Sequence, residues 1–198
     1  MDIAVYLHAL TALFVIIDPI GAALIFNSLT SGSDQQYRTK MAVKTVLIST
    51  ITLILFGNYG EALFAHLGIN INSLRISGGL LLFYTAFKMI TQKMEVTTSN
   101  IQTDISVFPM SIPMLAGPGT LTLCILLFSK APNAGTNVAV SLAIISILGV
   151  TFLFFLLSKY LKKIIGKTGD EILRRFLGVI LAALAIQFIF DGIHNIGL

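Results

Sequence analysis

The chain contains six apolar segments, each long enough to cross a lipid bilayer. A transmembrane helix needs about 20 mainly apolar residues, and only 11% of the 198 residues are charged, with a mean hydropathy of +0.90. An ordinary soluble domain carries roughly a quarter of its residues charged. The sequence therefore predicts an all-α, polytopic membrane bundle that forms a single domain over residues 1–198, and its net charge of +4 does not indicate a nucleic-acid-binding protein. The predicted spans are Ile3–Leu29, Val43–Phe64, Ile71–Ile90, Ile105–Ser129, Asn137–Ser158 and Ile172–Phe190.

The basic residues predict the orientation of these spans. With the N-terminus outside, eleven of the 13 Lys and Arg residues fall in inward-facing segments and two, Arg75 and Lys130, in outward-facing ones. Cytoplasmic loops are the ones enriched in Lys and Arg. We therefore predict an integral protein of the cell (inner) membrane with both termini outside. The inward residues are Arg38, Lys40, Lys44, Lys88, Lys93, Lys159, Lys162, Lys163, Lys167, Arg174 and Arg175.

The two halves of the chain resemble one another at an offset of about one hundred residues. Ser73–Phe87 aligns with Leu173–Gln187, with Gly78 opposite Gly178. Asp18-Pro19-Ile20-Gly21 aligns with Gly117-Pro118-Gly119-Thr120. Because three spans per half is an odd number, the second half must be inverted in the membrane relative to the first. The sequence thus predicts two inverted three-helix repeats, about 1–95 and 100–198, an arrangement typical of secondary transporters.

The first span is interrupted by an acid and a proline at Asp18-Pro19. A proline inside a helix costs about 3 kcal/mol, and a charge at the membrane centre costs at least about 2.5 kcal/mol. Both costs fall if the helix stops and restarts there, because Asp is a favoured N-cap and Pro a favoured first helical residue. We therefore predict a discontinuous first span whose second half-helix is Pro19–Leu29. Asp18 is then either a purely structural cap, neutralised by protonation, or a direct participant in substrate or ion coupling.

The fourth span repeats this arrangement in the stretch PMSIPMLAGPGTLTL, where Pro109 and Pro113 loosen the half-helix before the break. Broken backbone at membrane depth is tolerated only where it lines a cavity or is buried in protein, so the two breaks are expected to face each other. Half-helix N-termini attract a carboxylate, and unwound carbonyls attract an ammonium group or a cation. The expected ligand is a small zwitterion. The expected binding residues are Asp18, Pro19, Gly21, Gly117, Pro118, Gly119, Thr120 and Gln187.

Polar residues elsewhere in the spans add little to this prediction. Gln187 lies well inside the sixth span, where its amide has two uses: to hydrogen-bond a neighbouring helix or to touch the substrate. His8, His66 and His194 are far apart and form no ligand-spaced pair, so no metal site is predicted. No cofactor is expected beyond a coupling ion, sodium or proton. Membrane lipid surrounds the bundle, and the small-residue pair Gly78-Gly79 permits close helix packing within a subunit or in a homo-oligomer.

Both interruptions also carry a family resemblance. FVIIDPIGAALIFNSLT and FPMSIPMLAGPGTLT resemble the paired signature segments of the MarC family of bacterial integral membrane proteins, which includes the SnatA-type small neutral amino acid transporters. The resemblance covers essentially the whole chain. It implies transport of glycine, alanine or similar amino acids, with the two discontinuous helices as the binding region. Many relatives have Gly-Asn where this chain has Gly21-Ala22.

The predicted function is therefore a secondary transporter of small neutral amino acids that works by alternating access. The alternatives are an exporter or carrier of another small polar solute and a channel-like membrane protein of unknown substrate. A channel would need a continuous polar pathway, whereas apolar residues dominate every span. An enzyme is not expected, because Asp18 is the sole acid deep in any span and an aspartyl protease needs two facing carboxylates.

Overall fold

The computed structural model describes residues 2–91, 104–130 and 133–195, and every regular element within these ranges is helical. The residues between Ile105 and Pro118 form an irregular, wide-wound helical piece, here named the proline segment, which spans Ser106–Leu115. The other elements are α1 (Ile3–Ile17), α2 (Pro19–Leu29), α3 (Gln35–His66), α4 (Ile71–Thr91), α5 (Pro118–Ser129) and α6 (Ala134–His194).

Four helical stretches of the described chain are long and apolar enough to cross a membrane, or five if one bent pair counts as a single span. The bent pair is the proline segment with α5, which meet at an angle of 56°. Helix α4 forms where the third span was predicted, but it is not among these candidates. The four are Ile3–Leu29, Gln35–His66, Ala134–Leu161 and Arg175–His194.

Two helices differ in extent from their predicted spans. Helix α3 begins at Gln35, eight residues before the predicted Val43, because the Asp34 side chain caps it by accepting a hydrogen bond from the Tyr37 amide at 2.7 Å. The fifth and sixth spans were predicted as separate helices, but α6 runs through both and is interrupted only at Gly166 (φ 62°, ψ −176°). The connecting residues are largely Lys, Leu and Ile, which favour or tolerate a helix, so the chain stays helical where a loop was expected. The change of direction is confined to Gly166, whose positive φ is accessible to glycine.

The bundle has two ends that polar contacts define. At the α2 end, where α2 meets α3, Lys44 pairs with Asp104 at 2.6 Å. At the α5 end, where α5 meets α6, the Asn72 side chain donates to the Asn195 carbonyl at 3.0 Å. The start of α1 lines a cavity together with Lys130, so it too lies at the α5 end. The described N-terminal and C-terminal residues therefore share one end of the bundle.

Helix α4 packs antiparallel against the last part of α6 through glycines. A Cβ at Gly79 would lie 2.8 Å from the Ala185 carbonyl oxygen, and one at Gly178 would lie 3.2 Å from the Ala86 carbonyl oxygen. Gly79 and Ala86 are each 99 positions before Gly178 and Ala185, so the two contacts are reciprocal. The alignment of Gly78 with Gly178 was wrong by one residue. Sequence alone could not choose between adjacent glycines, but Gly78 faces Thr122 of α5 instead.

The apolar core lies between α1, α2, α5 and the first part of α6. Its fully buried members include Leu13, Phe26, Leu126, Ile144 and Phe155. Large apolar side chains are exposed all around the outside of the bundle, as expected for a surface that faces lipid rather than water. Pro19 of the first break and Gly117 of the second are buried.

Candidate functional site

The first break is built by Asp18, which ends α1 and begins α2. Its backbone is left-handed (φ 46°, ψ 69°), a conformation that Asp tolerates better than most residues. Its amide donates to the Phe14 carbonyl at 3.1 Å, and its own carbonyl accepts from the Ala22 amide at 2.9 Å. The Asp18 carboxylate accepts a hydrogen bond from the Gly21 amide at 3.1 Å. The predicted helix break and the predicted cap are therefore confirmed.

Gly21 and Pro19 fit this cap for steric reasons. A Cβ at Gly21 would lie 2.3 Å from Oδ2 of Asp18, so a side chain there would push the carboxylate away from the amide that it caps. Pro19 occupies the first turn of α2, where its missing N–H costs no helical hydrogen bond, and it is buried. Asp18 itself is half-buried.

The second break has a different origin. Phe108 and Ile112 have extended backbones inside the proline segment, as expected for residues that precede a proline. Gly117 then takes the N-cap position of α5, with Pro118 in the first turn. A Cβ at Gly117 would lie 2.2 Å from the Pro113 carbonyl oxygen, so only glycine fits there. The predicted interruption at Gly117-Pro118 is confirmed.

The two breaks lie close to one another. A Cβ at Gly119, on the first turn of α5, would lie 3.1 Å from Cδ1 of Ile16, two residues before Asp18. It would lie equally close to Cδ2 of Leu82 on α4. Gly119 and Thr120 are buried, whereas Pro118 is exposed. The start of α5 therefore packs against the last turn of α1, in agreement with the expectation that the two breaks face each other.

The two half-helices differ in how their N-termini are satisfied. At α2 the Asp18 carboxylate accepts from a first-turn amide, whereas at α5 Gly117 supplies no side-chain cap. The free amides and the positive end of the helix dipole at an N-terminus favour a negative charge. The first half-helix thus contains its own carboxylate, whereas the N-cap residue of the second supplies none.

A cluster of buried hydroxyl groups joins the proline segment to α3. Ser111 donates to the Thr45 carbonyl at 3.0 Å and to the Ser106 carbonyl at 2.6 Å. Ser49, one turn beyond Thr45, is fully buried, and its hydroxyl has no partner among the described residues. Helical Ser and Thr hydroxyls commonly donate to the carbonyl four residues earlier, but for Ser49 that carbonyl, of Thr45, accepts from Ser111 instead.

Sequence reasoning missed this hydroxyl cluster, although a signal was present. Thr45 and Ser49 are four residues apart on the second predicted span, so they share one helix face, and Ser111 lies between two prolines. Gln187 was predicted as a binding residue, but its side chain is exposed and its amide donates to Asp191 at 2.7 Å. No described contact links Gln187 to either break. Within the described ranges, no group of His, Cys, Asp and Glu side chains could hold a metal ion.

Comparisons with known proteins agree with the membrane-protein composition of the chain. The model of a family described as MarC family integral membrane proteins matches residues 3–197. The chain belongs to the MarC family. Among MarC-type relatives, the UPF0056 membrane protein MJ1677 of Methanocaldococcus jannaschii is 33% identical over 202 residues, covering 98% of both chains. The UPF0056 membrane protein YvbG of Bacillus subtilis is 34% identical, covering 95% of this chain and 93% of its own.

A third relative bears on location. The UPF0056 inner membrane protein YhgN of Escherichia coli is 31% identical over 190 residues and 95% of both chains. No solved structure matches the chain. Membership of the MarC family makes this an integral membrane protein with multiple helical spans, as the composition predicted. The names of these relatives state no substrate.

Proposed function

We propose that this MarC-family protein is a secondary transporter of small neutral amino acids such as glycine and alanine. The observation that carries the proposal is the pair of unequal half-helix starts, one capped by Asp18 and the other left without a side-chain cap at Gly117. The α5 N-terminus suits the carboxylate of an amino acid. Asp18 supplies a negative charge that suits an ammonium group or a coupling proton or sodium ion. The glycines at both breaks, Gly21, Gly117 and Gly119, carry no side chain, which favours a small substrate.

Alternating access between two inverted repeats is the proposed mechanism. Several features recur 99 positions apart and support it: the Asp18-Pro19 and Gly117-Pro118 breaks, the caps Asp34 and Asn133, and the reciprocal glycine contacts of α4 and α6. The proposal places both termini outside, in the cell membrane. It assigns no chemical step to any residue, so the substrate is released unchanged, and it leaves a homo-oligomer open to test.

The test is uptake and counterflow of radiolabelled glycine and alanine in proteoliposomes, with sodium and proton gradients imposed separately. Saturable flux that follows a gradient or exchanges with internal substrate is the expected result. Flux no greater than that of protein-free vesicles under either gradient would refute the amino acid proposal and favour the alternative, a carrier of another small polar solute. Flux that does not saturate would favour a channel.

The variant Asp18→Asn separates the two roles of Asp18. Asn tolerates a left-handed backbone and is as good an N-cap as Asp, so the fold and the cap are expected to persist without the charge. We expect Asp18→Asn to abolish gradient-driven uptake. The matched control is Asp34→Asn, the same change at the exposed cap of α3, which is expected to transport normally. Normal uptake by Asp18→Asn would assign Asp18 to capping alone.

A further inference from the structure

One charged side chain of the bundle is buried away from both breaks. Arg38 was predicted as a loop charge that reports orientation, but it lies on the first turns of α3 and is only 3% exposed. Removing a guanidinium from water is costly unless its N–H groups are satisfied. The burial of Arg38 therefore depends on the groups that accept hydrogen bonds from its guanidinium.

The Arg38 guanidinium connects three helices. One nitrogen donates to the Thr30 carbonyl at 3.2 Å and to the Thr30 hydroxyl at 2.6 Å, at the C-terminus of α2. The other donates to Oδ1 of Asn27 on α2 at 3.1 Å and to the Ser158 hydroxyl on α6 at 2.8 Å. A cation at the C-terminus of a helix is also stabilised by the helix dipole. Arg38 thus joins the end of half-helix α2 to both α3 and α6.

An aromatic contact reinforces the same junction. Phe26 of α2 stacks on Phe155 of α6 with ring centroids 4.5 Å apart and an angle of 8° between the planes. The Arg38 guanidinium carbon lies 5.7 Å from the Phe26 ring centroid, within cation–π range. Helix α2 runs from the Asp18 break to this junction. If α2 separated from α6, a path would open from the break to the α2 end of the bundle.

At the opposite end of the bundle, exposed polar contacts lie between the helices and a cavity is present. At the α5 end, Lys130 and Asp191 are 3.5 Å apart and both side chains are partly exposed, at 49% and 28%. Such surface ion pairs contribute little. A cavity of about 270 Å³ lies beside the last turn of α5, lined by His8, Lys130 and Phe188 among others. The structure is therefore closed by buried contacts at the α2 end and has a cavity at the α5 end.

We infer that Arg38 is a positioning residue that locks α2 against α6 and so keeps the α2 end of the transport pathway closed. The inference rests on the proposed transport function. Opening of the α2 end requires the guanidinium to release Ser158, and losing one hydrogen bond to a charged group changes such an equilibrium by about tenfold or more. Arg38 touches no substrate in this role and acts through the position of α2.

The experiment measures access to α2 from each side of the membrane. A reporter cysteine replaces half-buried Leu24, between the break and the junction, in a Cys124→Ala background that removes the one native cysteine. A membrane-impermeant maleimide is added separately to the outside and to the lumen of proteoliposomes that hold the protein in one orientation. The variants are Arg38→Gln and Ser158→Ala, and the control is Thr151→Val. Thr151 is equally buried on α6 but bonds only within its own helix, to the Ile147 carbonyl.

We expect Arg38→Gln and Ser158→Ala each to raise the labelling rate about tenfold or more from one side only. Thr151→Val should leave the labelling rate unchanged. Unchanged labelling in both variants, or an equal increase from both sides, would overturn the inference. If Arg38→Gln fails to fold, Ser158→Ala decides the matter alone.

The labelling needs no substrate, so the two proposals fail separately. One-sided labelling without glycine or alanine uptake would support the role of Arg38 and refute only the proposed substrate. Normal uptake with no change in labelling would refute the role of Arg38 and support the proposed transport function.

Discussion

Replacing Gly21 with alanine tests the geometry of the first break directly. The new Cβ would lie 2.3 Å from Oδ2 and 2.9 Å from Cγ of Asp18, well inside van der Waals contact. The carboxylate must rotate away, and its 3.1 Å hydrogen bond to the amide of residue 21 is then lost. The break of the first span would keep its proline but lose its cap.

The expected cost follows from two opposing contributions. Loss of an N-cap destabilises a helix by about 1–2 kcal/mol, while replacing glycine by alanine in a helix contributes about 0.5–1 kcal/mol in the other direction. The net change is a loss of about 0.5–1 kcal/mol, or about 1–4 °C in Tm for a protein of this size. Gly149→Ala is the matched control, because a Cβ there meets nothing within 4 Å. It should raise Tm by a similar amount.

Thermal unfolding of purified protein in detergent measures both changes, and a double-mutant cycle locates their cause. In an Asp18→Ala background the carboxylate is absent, so Gly21→Ala should lose its cost. The reasoning is refuted if Gly21→Ala stabilises the protein as much as Gly149→Ala does. It is also refuted if the cost of Gly21→Ala persists without the Asp18 carboxylate.

Two further predictions concern packing and pH. Gly79→Ala is expected to lower Tm by several degrees, because its Cβ would lie 2.8 Å from a backbone oxygen of α6 that cannot move alone; an unchanged Tm in a detergent melt would contradict the packing of α4. Hydrogen bonds from Lys44 and Ser106 lower the pKa of Asp104 from its usual 3.8 to about 2. Because the folded-state pKa is depressed, the stabilisation is present above pH 3.8 and is lost as the pH falls to about 2. The Tm advantage of wild type over Asp104→Asn should therefore be constant at neutral pH and disappear below about pH 2, whereas a constant difference would exclude this ionisation as its source.

The helix breaks could be predicted because their signals are local. Asp18-Pro19 combines a cap residue with a proline, and Gly117-Pro118 follows two further prolines, so each break depends on neighbours in the chain. Apolar run lengths likewise indicated a membrane bundle without any knowledge of packing. The family resemblance depended on these same two segments, and it was confirmed over nearly the whole chain.

Features that depend on distant residues could not be predicted. Arg38 was predicted as a loop charge, because its partner Ser158, 120 positions later, cannot be identified from the sequence. The contact of the Thr45 carbonyl with Ser111, which lies 62 positions after Ser49, is likewise not visible in the sequence. Gln187 has an apolar sequence context but lies on the exposed surface of α6. Which face of a helix is covered is decided by tertiary packing.

The unequal capping of α2 and α5 has an electrostatic consequence for the proposed cycle. Asp18 offsets the dipole of α2 from within the chain, whereas Gly117 gives α5 nothing comparable. The two halves therefore differ in charge balance although their breaks recur 99 positions apart. A carboxylate bound at α5 would give that half the counter-charge that Asp18 gives the other. With ligand bound, the N-termini of α2 and α5 would each have one carboxylate beside them. The helix dipoles would then favour neither direction of the movement of one repeat against the other.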